Sequence, residues 1–211
     1  MKAELINFFG DDLMVVNAAR VSYGKTKNLF DIKDQKLIKY LVDHKHTAPF
    51  RHPQLQFRIE CPIFVERQLF KHQAGMSANS ISGRYVDFSD NYWKIDELRK
   101  QSSSSKQGSD GVIDSPYLIE RIDEHIRRGS SLYKDLCDAG VAKEQARIIL
   151  PLALETQFMW TGSLLSYLHF WGLRTKPDTQ QETRECAFEM LDLVRELPNQ
   201  PFKYSLEAWG Y

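Results

Sequence analysis

The chain has 211 residues, enough for one ordinary domain and short for two. A hydrophobic content of 42% with 27% charged residues is globular composition and excludes a disordered chain. The 28 basic and 28 acidic residues cancel, which disfavours a sequence-independent nucleic-acid binder, since little electrostatic attraction to phosphate remains.

Residues 2–9 and 12–16 predict short strands around the turn at Gly10-Asp11-Asp12. Ile32, Leu37, Ile38, Leu41 and Val42 fall on one stripe, which predicts a helix over 32–44, broken at Thr47-Ala48-Pro49-Phe50. Leu55, Phe57, Ile59 and Cys61 alternate with Gln56, Arg58 and Glu60, so 54–61 reads as a half-buried strand. Pro62 opens a helix carrying Phe64, Val65, Leu69 and Phe70 and ending near Gly75. Residues 75–90 read as a polar loop, and the Ser-rich stretch 101–111 as a mobile excursion within a single domain over 1–211. Helices are expected over 115–138, 142–154, 156–172 and 178–196, the last with Ala187, Met190, Leu191 and Val194 on its apolar face. The fold class is therefore α+β, a small mixed or antiparallel sheet followed by a helical C-terminal half.

Between Ile148 and Leu173 the one formal charge is Glu155. Pro151, Thr156, Gln157, Ser163, Ser166 and His169 interrupt this run, and the mean hydropathy of the chain is −0.45, so a buried helix is expected and not a membrane span. A helix so fully apolar in a small chain suggests an oligomer. The N-terminus carries no signal peptide, and Cys61, Cys137 and Cys186 lack a CxxC pair, so they read as reduced thiols in a cytoplasmic protein. His44 and His46 alternate in a loop-prone stretch, but no spacing supplies a third ligand and no metal site is expected.

Polar chemistry is densest from Glu66 to Gln73 and from Ser77 to Tyr85. Lys71 and His72 at a helix end suit the negative pole of its dipole. The loop after them offers hydroxyls, Gly83 and Arg84, which together can cradle a phosphate, although an ordinary polar turn has the same composition. Arg147 and Arg174 border the apolar run at its two ends and each needs an anion or access to water; Glu155 is a candidate structural partner for Arg147.

At these residues the sequence resembles the flavin-dependent thymidylate synthases. The family signature is Arg-His-Arg, a spacer, then Ser-Gly-Arg-Tyr. Here it reads Lys71-His72-Gln73, eight residues, then Ser82-Gly83-Arg84-Tyr85, one residue longer than the family spacing. The flanks agree more closely: His46-Thr47-Ala48-Pro49-Phe50-Arg51-His52, Pro62-Ile63-Phe64-Val65-Glu66-Arg67-Gln68, Ala146-Arg147-Ile148-Ile149-Leu150-Pro151-Leu152, Phe158-Met159-Trp160-Thr161, Leu173-Arg174 and Thr179-Gln180-Gln181-Glu182. The matches run in order from about Asn17 to the last helix.

The resemblance implies a homotetramer with shared sites that converts dUMP to dTMP. Methylenetetrahydrofolate would give the carbon, and NADPH the hydride by way of FAD. By resemblance, Gln68, Arg84 and Arg147 hold the phosphate and sugar with Ser82 and Gly83, and Leu69, Phe70, Lys71, Ser80 and Ile81 flank them in the substrate set. Arg174 faces the uracil, where its fixed charge stabilises negative charge on the ring. Ser82 reads as a binding hydroxyl, because no adjacent base is evident to activate it. His46, Ala48, Lys71, His72, Gln73, Ser80, Ser163, Leu165 and His169 are the implied FAD set. Lys71 loses the bidentate fork of the family arginine, Gln73 loses a charge, Ser80 or Asn79 replaces a carboxylate, and Leu165 stands where an arginine touches the flavin. These departures bear on the flavin pocket more than on the nucleotide site. The alternatives are a dUMP-binding homologue without turnover and a related flavoenzyme acting on another pyrimidine nucleotide. No nucleic-acid or membrane partner is expected.

Overall fold

Gly10 (φ +88°) turns the chain out of strand β1 (Lys2–Phe9), and the side chain of Asp11 accepts from the Met14 amide at 2.7 Å, so a helix starts there. Such a cap contributes about 1 kcal/mol. Residues 12–16 therefore belong to helix α1 (Asp12–Arg20) and not to a strand; Val15 and Val16 face the core from a helix. This is a computed structural model, and it describes residues 1–86, 90–104 and 106–211. Parts of the loop expected at 75–90 and of the Ser-rich stretch, 87–89 and 105, lie outside the described residues.

Helix α2 (Ile32–Asp43) opens with a capping box between Asp31 and Asp34. Strand β2 (Gln54–Pro62) has the expected alternation, and α3 (Ile63–Leu69) follows it directly. Strand β3 (Met76–Ser80) lies within the segment expected to be loop, and β4 (Leu98–Gln101) and β5 (Ser109–Ile113) form a hairpin around the Ser-rich stretch. Helix α4 (Pro116–Asp138) begins where Ser115 and Pro116 signal it. The helix expected over 142–154 shrinks to α5 (Lys143–Ala146) and one 3-10 turn (Arg147–Ile149), because Pro151 cannot continue it.

The largest correction falls on 156–172. Its first half is strand β6 (Glu155–Ser163), and only then does α6 (Leu164–Arg174) begin. Thr156, Phe158, Trp160 and Gly162 are buried in strict alternation, which is strand period. The four-stranded antiparallel sheet has the order β1-β2-β6-β3, so β6 is an interior strand, paired on both edges. Phe57 pairs with Trp160 and Ile59 with Phe158 on the core face. On the other face Gln56 bonds Thr161 at 3.0 Å and Gln157 bonds Glu60 at 2.6 Å.

Helices α6 and α7 (Gln181–Arg195) cover the core face, and α8 (Lys203–Trp209) closes it against α2. Trp160 sits fully buried between Tyr167 and Phe170, ring centroids 5.5 and 5.2 Å away, both edge to face. Burial pushes the Cys61 thiol well up and that of Cys186 to about 12, so both are protonated packing residues at neutral pH. Among the described residues no helix is long and apolar enough to cross a membrane, and no group of three His, Cys, Asp or Glu could hold a metal.

Candidate active site

Helix α6 organises the site from both of its ends. Ser163 caps it by accepting from the Ser166 amide at 3.2 Å, and Ser166 Oγ donates to the Ala74 carbonyl at 2.9 Å. This fixes the turn after α3. Gly75 in that turn has φ +72°, and a Cβ there would lie 2.5 Å from Ser166 Oγ, so any other residue would be strained and would have to displace that hydroxyl. Further along α6, Phe170 meets the His72 ring edge to face at 5.1 Å. At the last turn Arg174 donates its Nε–H to His72 Nε2 at 2.8 Å.

Burial and then the nearby charge of Arg174 push His72 down to about 4. The ring is therefore neutral at physiological pH, with Nε2 as acceptor and the proton on Nδ1. Burial also lowers the pKa of Arg174 from its ordinary value.

Arg174 lines a cleft of about 780 Å³ together with Gln68, Arg99, Lys176 and Gln180. One wall of the cleft is the β4–β5 hairpin. Behind it Gln68 donates to Gln180, Gln180 donates to Glu182 at 2.9 Å, and Arg99 pairs with Glu182. Burial raises the Glu182 carboxyl, but the hydrogen bonds from Arg99 and Gln180 outweigh it, so the net shift is downward and the group is ionised. The lining carries three cationic side chains (Arg99, Arg174, Lys176), two carboxylates (Glu97, Asp178) and four amides (Gln68, Gln101, Gln107, Gln180), and with Arg99 paired to Glu182 it suits a polar ligand with an anionic group and several hydrogen-bonding groups.

The expected residues divide into groups. Gln68 and Arg174 line the cleft together, and His72 bonds Arg174 without lining it. Leu69 is fully buried and Phe70 packs on Phe158 at 4.8 Å, so either meets a ligand mainly through its backbone. Lys71 and Gln73 are exposed on the turn. Ser80 Oγ donates to Glu66 of α3 at 3.0 Å, and the Ile81 amide continues the pairing to Gln157 at 2.8 Å, which ties this segment beside Gln68's helix. Ser82 Oγ accepts from the Arg84 amide at 3.3 Å, Gly83 is half-buried, and the exposed guanidinium of Arg84 lies 5.4 Å from the Tyr85 ring centroid.

Arg147 donates to the Glu144 carbonyl at 3.1 Å and makes no ion pair with Glu155, the partner the sequence suggested; Arg147 stands in the 3-10 turn and Glu155 opens β6. Arg84 and Arg147 are both exposed and neither lines the cleft with Arg174. On the far edge of α6, exposed His169 stacks edge to face on Trp209 at 5.4 Å, and Phe50 does so at 5.9 Å. The 3-10 turn bearing Ala48 is thereby a neighbour of α6, with His46 exposed just before it. Leu165 is 5% exposed, a core residue in this chain.

Arg99, Lys176, Gln180 and Glu182 were not among the expected site residues. Glu182 does leave a trace in the sequence: it precedes Cys186 and Met190 on the apolar face of α7, where a carboxylate needs a buried partner.

Residues 4–199 match the family model described as thymidylate synthase complementing protein. The chain is 38% identical over 193 residues to a flavin-dependent thymidylate synthase of Thermus thermophilus, covering 91% of this chain and 70% of that one. It is 38% identical over 195 residues to the enzyme of that name from Thermosipho africanus, covering 91% and 85%. A crystal structure of a UMP/dUMP methylase, PolB from Streptomyces cacaoi, bound with 5-Br dUMP, superposes with a TM-score of 0.87 at 28% identity, over 99% of this chain and 94% of that one.

Proposed function

The chain belongs to the thymidylate synthase complementing protein family, the flavin-dependent thymidylate synthases, and from that premise we propose how its residues share the methylation of dUMP. The reaction is the reductive methylation of dUMP to dTMP, with methylenetetrahydrofolate as carbon donor and NADPH as reductant. FAD, when bound, relays the hydride.

The observation that carries the assignment of roles is Arg174, half-desolvated at the edge of the cleft and held through Nε by neutral His72. Because His72 is neutral, the bond through Nε holds the guanidinium without neutralising its charge. A guanidinium placed this way stabilises negative charge on the uracil ring as the carbon at position 5 becomes nucleophilic. Gln68 binds the nucleotide from the facing helix, with Ser82, Gly83, Arg84 and Arg147 on its phosphate and sugar.

The exposed donors around α6 fit a dinucleotide. Lys71 supplies a fixed charge for the pyrophosphate, Gln73 an amide, and His46, Ala48 and His169 an adjoining surface. Leu165, packed in the core, supplies none of this, so flavin affinity rests on the turn at 71–75 and on the two exposed histidines.

Because Arg84 and Arg147 stand outside the cleft that holds Arg174, a second copy of the chain completes each site in a homotetramer. The exposed apolar side chains Leu118 and Leu132 on α4, with Ile148 and Leu152 after it, support this reading, since monomers rarely expose such a face. The protein acts in the cytoplasm.

The test is turnover by the purified protein with FAD, NADPH, methylenetetrahydrofolate and dUMP, reading dTMP by chromatography. Product from dUMP is expected; nucleotide binding without product would leave the dUMP-binding homologue. A second substrate is worth including because the similar Streptomyces protein is a UMP/dUMP methylase. Methylation of UMP at a comparable rate would widen the substrate class to ribonucleotides.

A further inference from the structure

The hydrogen bonds behind the cleft run in one direction only. Glu182 is 4% exposed and both of its carboxylate oxygens are occupied, Oε1 by Arg99 and Oε2 by the Gln180 amide nitrogen at 2.9 Å. An ionised carboxylate accepts and cannot donate, so Gln180 must turn its NH2 toward Glu182. Its carbonyl then faces Gln68 and can only accept, so Gln68 must turn its own NH2 toward Gln180, as it does. An inverted Gln68 amide would set two carbonyl oxygens against each other. Gln68 therefore presents its carbonyl oxygen and its second N–H to the cleft in one fixed sense.

We infer that Glu182 is a positioning residue for the nucleotide: with Arg99 as its counter-ion and Gln180 as relay, it sets the orientation in which Gln68 meets dUMP. This rests on the reading above that Gln68 binds the nucleotide. It gives the β4–β5 hairpin a second task besides walling the cleft, because Arg99 comes from β4 and lies 22% exposed against the buried carboxylate. The device joins α3, α7 and the hairpin at one point, so an amide that would rotate freely on a surface is held in a single state before ligand arrives.

The experiment measures dUMP binding calorimetrically on the full-length, FAD-loaded protein. Four forms are compared: wild type, Gln68→Ala, Glu182→Gln and the double variant. Each single change is expected to weaken binding about tenfold, the loss of one well-placed hydrogen bond. The double variant is expected to bind no more weakly than Gln68→Ala alone, because Glu182 acts through Gln68. Losses that multiply toward a hundredfold, or a Glu182→Gln protein with wild-type affinity, would overturn the inference. If Gln68→Ala itself leaves affinity unchanged, the nucleotide role of Gln68 falls and the inference falls with it; a weakened Gln68→Ala beside an unaffected Glu182→Gln refutes the inference alone.

In turnover the Glu182→Gln defect should appear chiefly as a raised KM for dUMP. A merely structural role would lower the active fraction, and hence kcat, and leave KM in place. Should Glu182→Gln fail to fold, Gln180→Met cuts the relay while keeping the Arg99–Glu182 pair, and the same comparison with Gln68→Ala decides the matter.

Discussion

Replacing His72 by Phe isolates the contact on which the assignment of Arg174 depends. Phe keeps a ring of similar shape against Phe170 but removes the acceptor for Arg174 Nε–H, now 2.8 Å away. The donor belongs to a charged, half-buried group, and leaving it unsatisfied costs about 1–3 kcal/mol. If that cost is felt where Arg174 meets the reacting ring, kcat/KM for dTMP formation falls about five- to 150-fold. The measurement is initial rate of dTMP formation at saturating FAD, with flavin occupancy read from the visible spectrum so that weakened cofactor binding is separated from misplaced Arg174. His72→Gln keeps an acceptor and should recover part of the loss. Because His72 is held at about 4, its titration should not shape the rate between pH 6 and 8, in contrast to a free histidine near 6.5. Wild-type kcat/KM in a fully flavin-loaded His72→Phe protein would refute the reasoning.

Other outcomes follow from the same geometry. Arg174→Ala should abolish dTMP formation with little change in melting temperature, since the side chain ends α6 at the edge of the core; normal turnover would remove it from the chemistry. Arg84→Ala should raise the Kd for dUMP about tenfold or more, through a lost charge-assisted phosphate contact; an unchanged Kd would take Arg84 out of the site. Mixing the Arg84→Ala and Arg174→Ala chains in one tetramer should restore activity at about a quarter of the sites if each site draws these residues from different chains, whereas sites built within one chain would regain none. Stability should depend on pH through Asp12, which burial drives from 3.8 to about 6 against hydrogen bonds from Ser205 and Tyr204. Its folded pKa is raised, so its contribution of about 3 kcal/mol is complete below about pH 4 and is lost as pH rises through about 6. His72, lowered from 6.5 to about 4, runs the opposite way and loses its contribution as pH falls across that range. Asp12→Asn removes the first effect and leaves the second, so urea denaturation should show a steeper loss of stability on acidification from pH 6.5 to 4 than in wild type; parallel profiles would show that Asp12 does not titrate in that window.

How much could be read from the chain alone depended on whether the signal was local. Strand β2 and helices α2, α4 and α7 show in the sequence because each has one buried face and, for α2 and α4, a capping residue at its start. Strand β6 does not, because its alternation is blurred where Phe158, Met159 and Trp160 follow one another and the weakly charged stretch runs straight on into α6, so the change of period at Ser163 is hidden. The start of α1 was obscured by Val15 and Val16, whose β-branched side chains favour strands, while the deciding signal was the single side chain of Asp11. The site follows the same rule. Gln68, Arg84, Arg147 and Arg174 could be named from colinear motifs, but no motif says which of them meet. That is fixed by β6, which carries the chain from the Arg147 turn across the sheet to α6 and leaves Arg174 beside His72, with Arg147 exposed at the other end. The relay from Arg99 through Glu182 to Gln68 was least legible, because its partners come from three elements far apart in sequence and its one local trace is a carboxylate on an apolar helix face. Recognition by motif thus names the groups proposed to touch the ligand, whereas the groups that hold those in place are selected by packing. They become identifiable only when a buried charge is followed to its partner and from there to the next donor, until the chain of hydrogen bonds reaches the cleft.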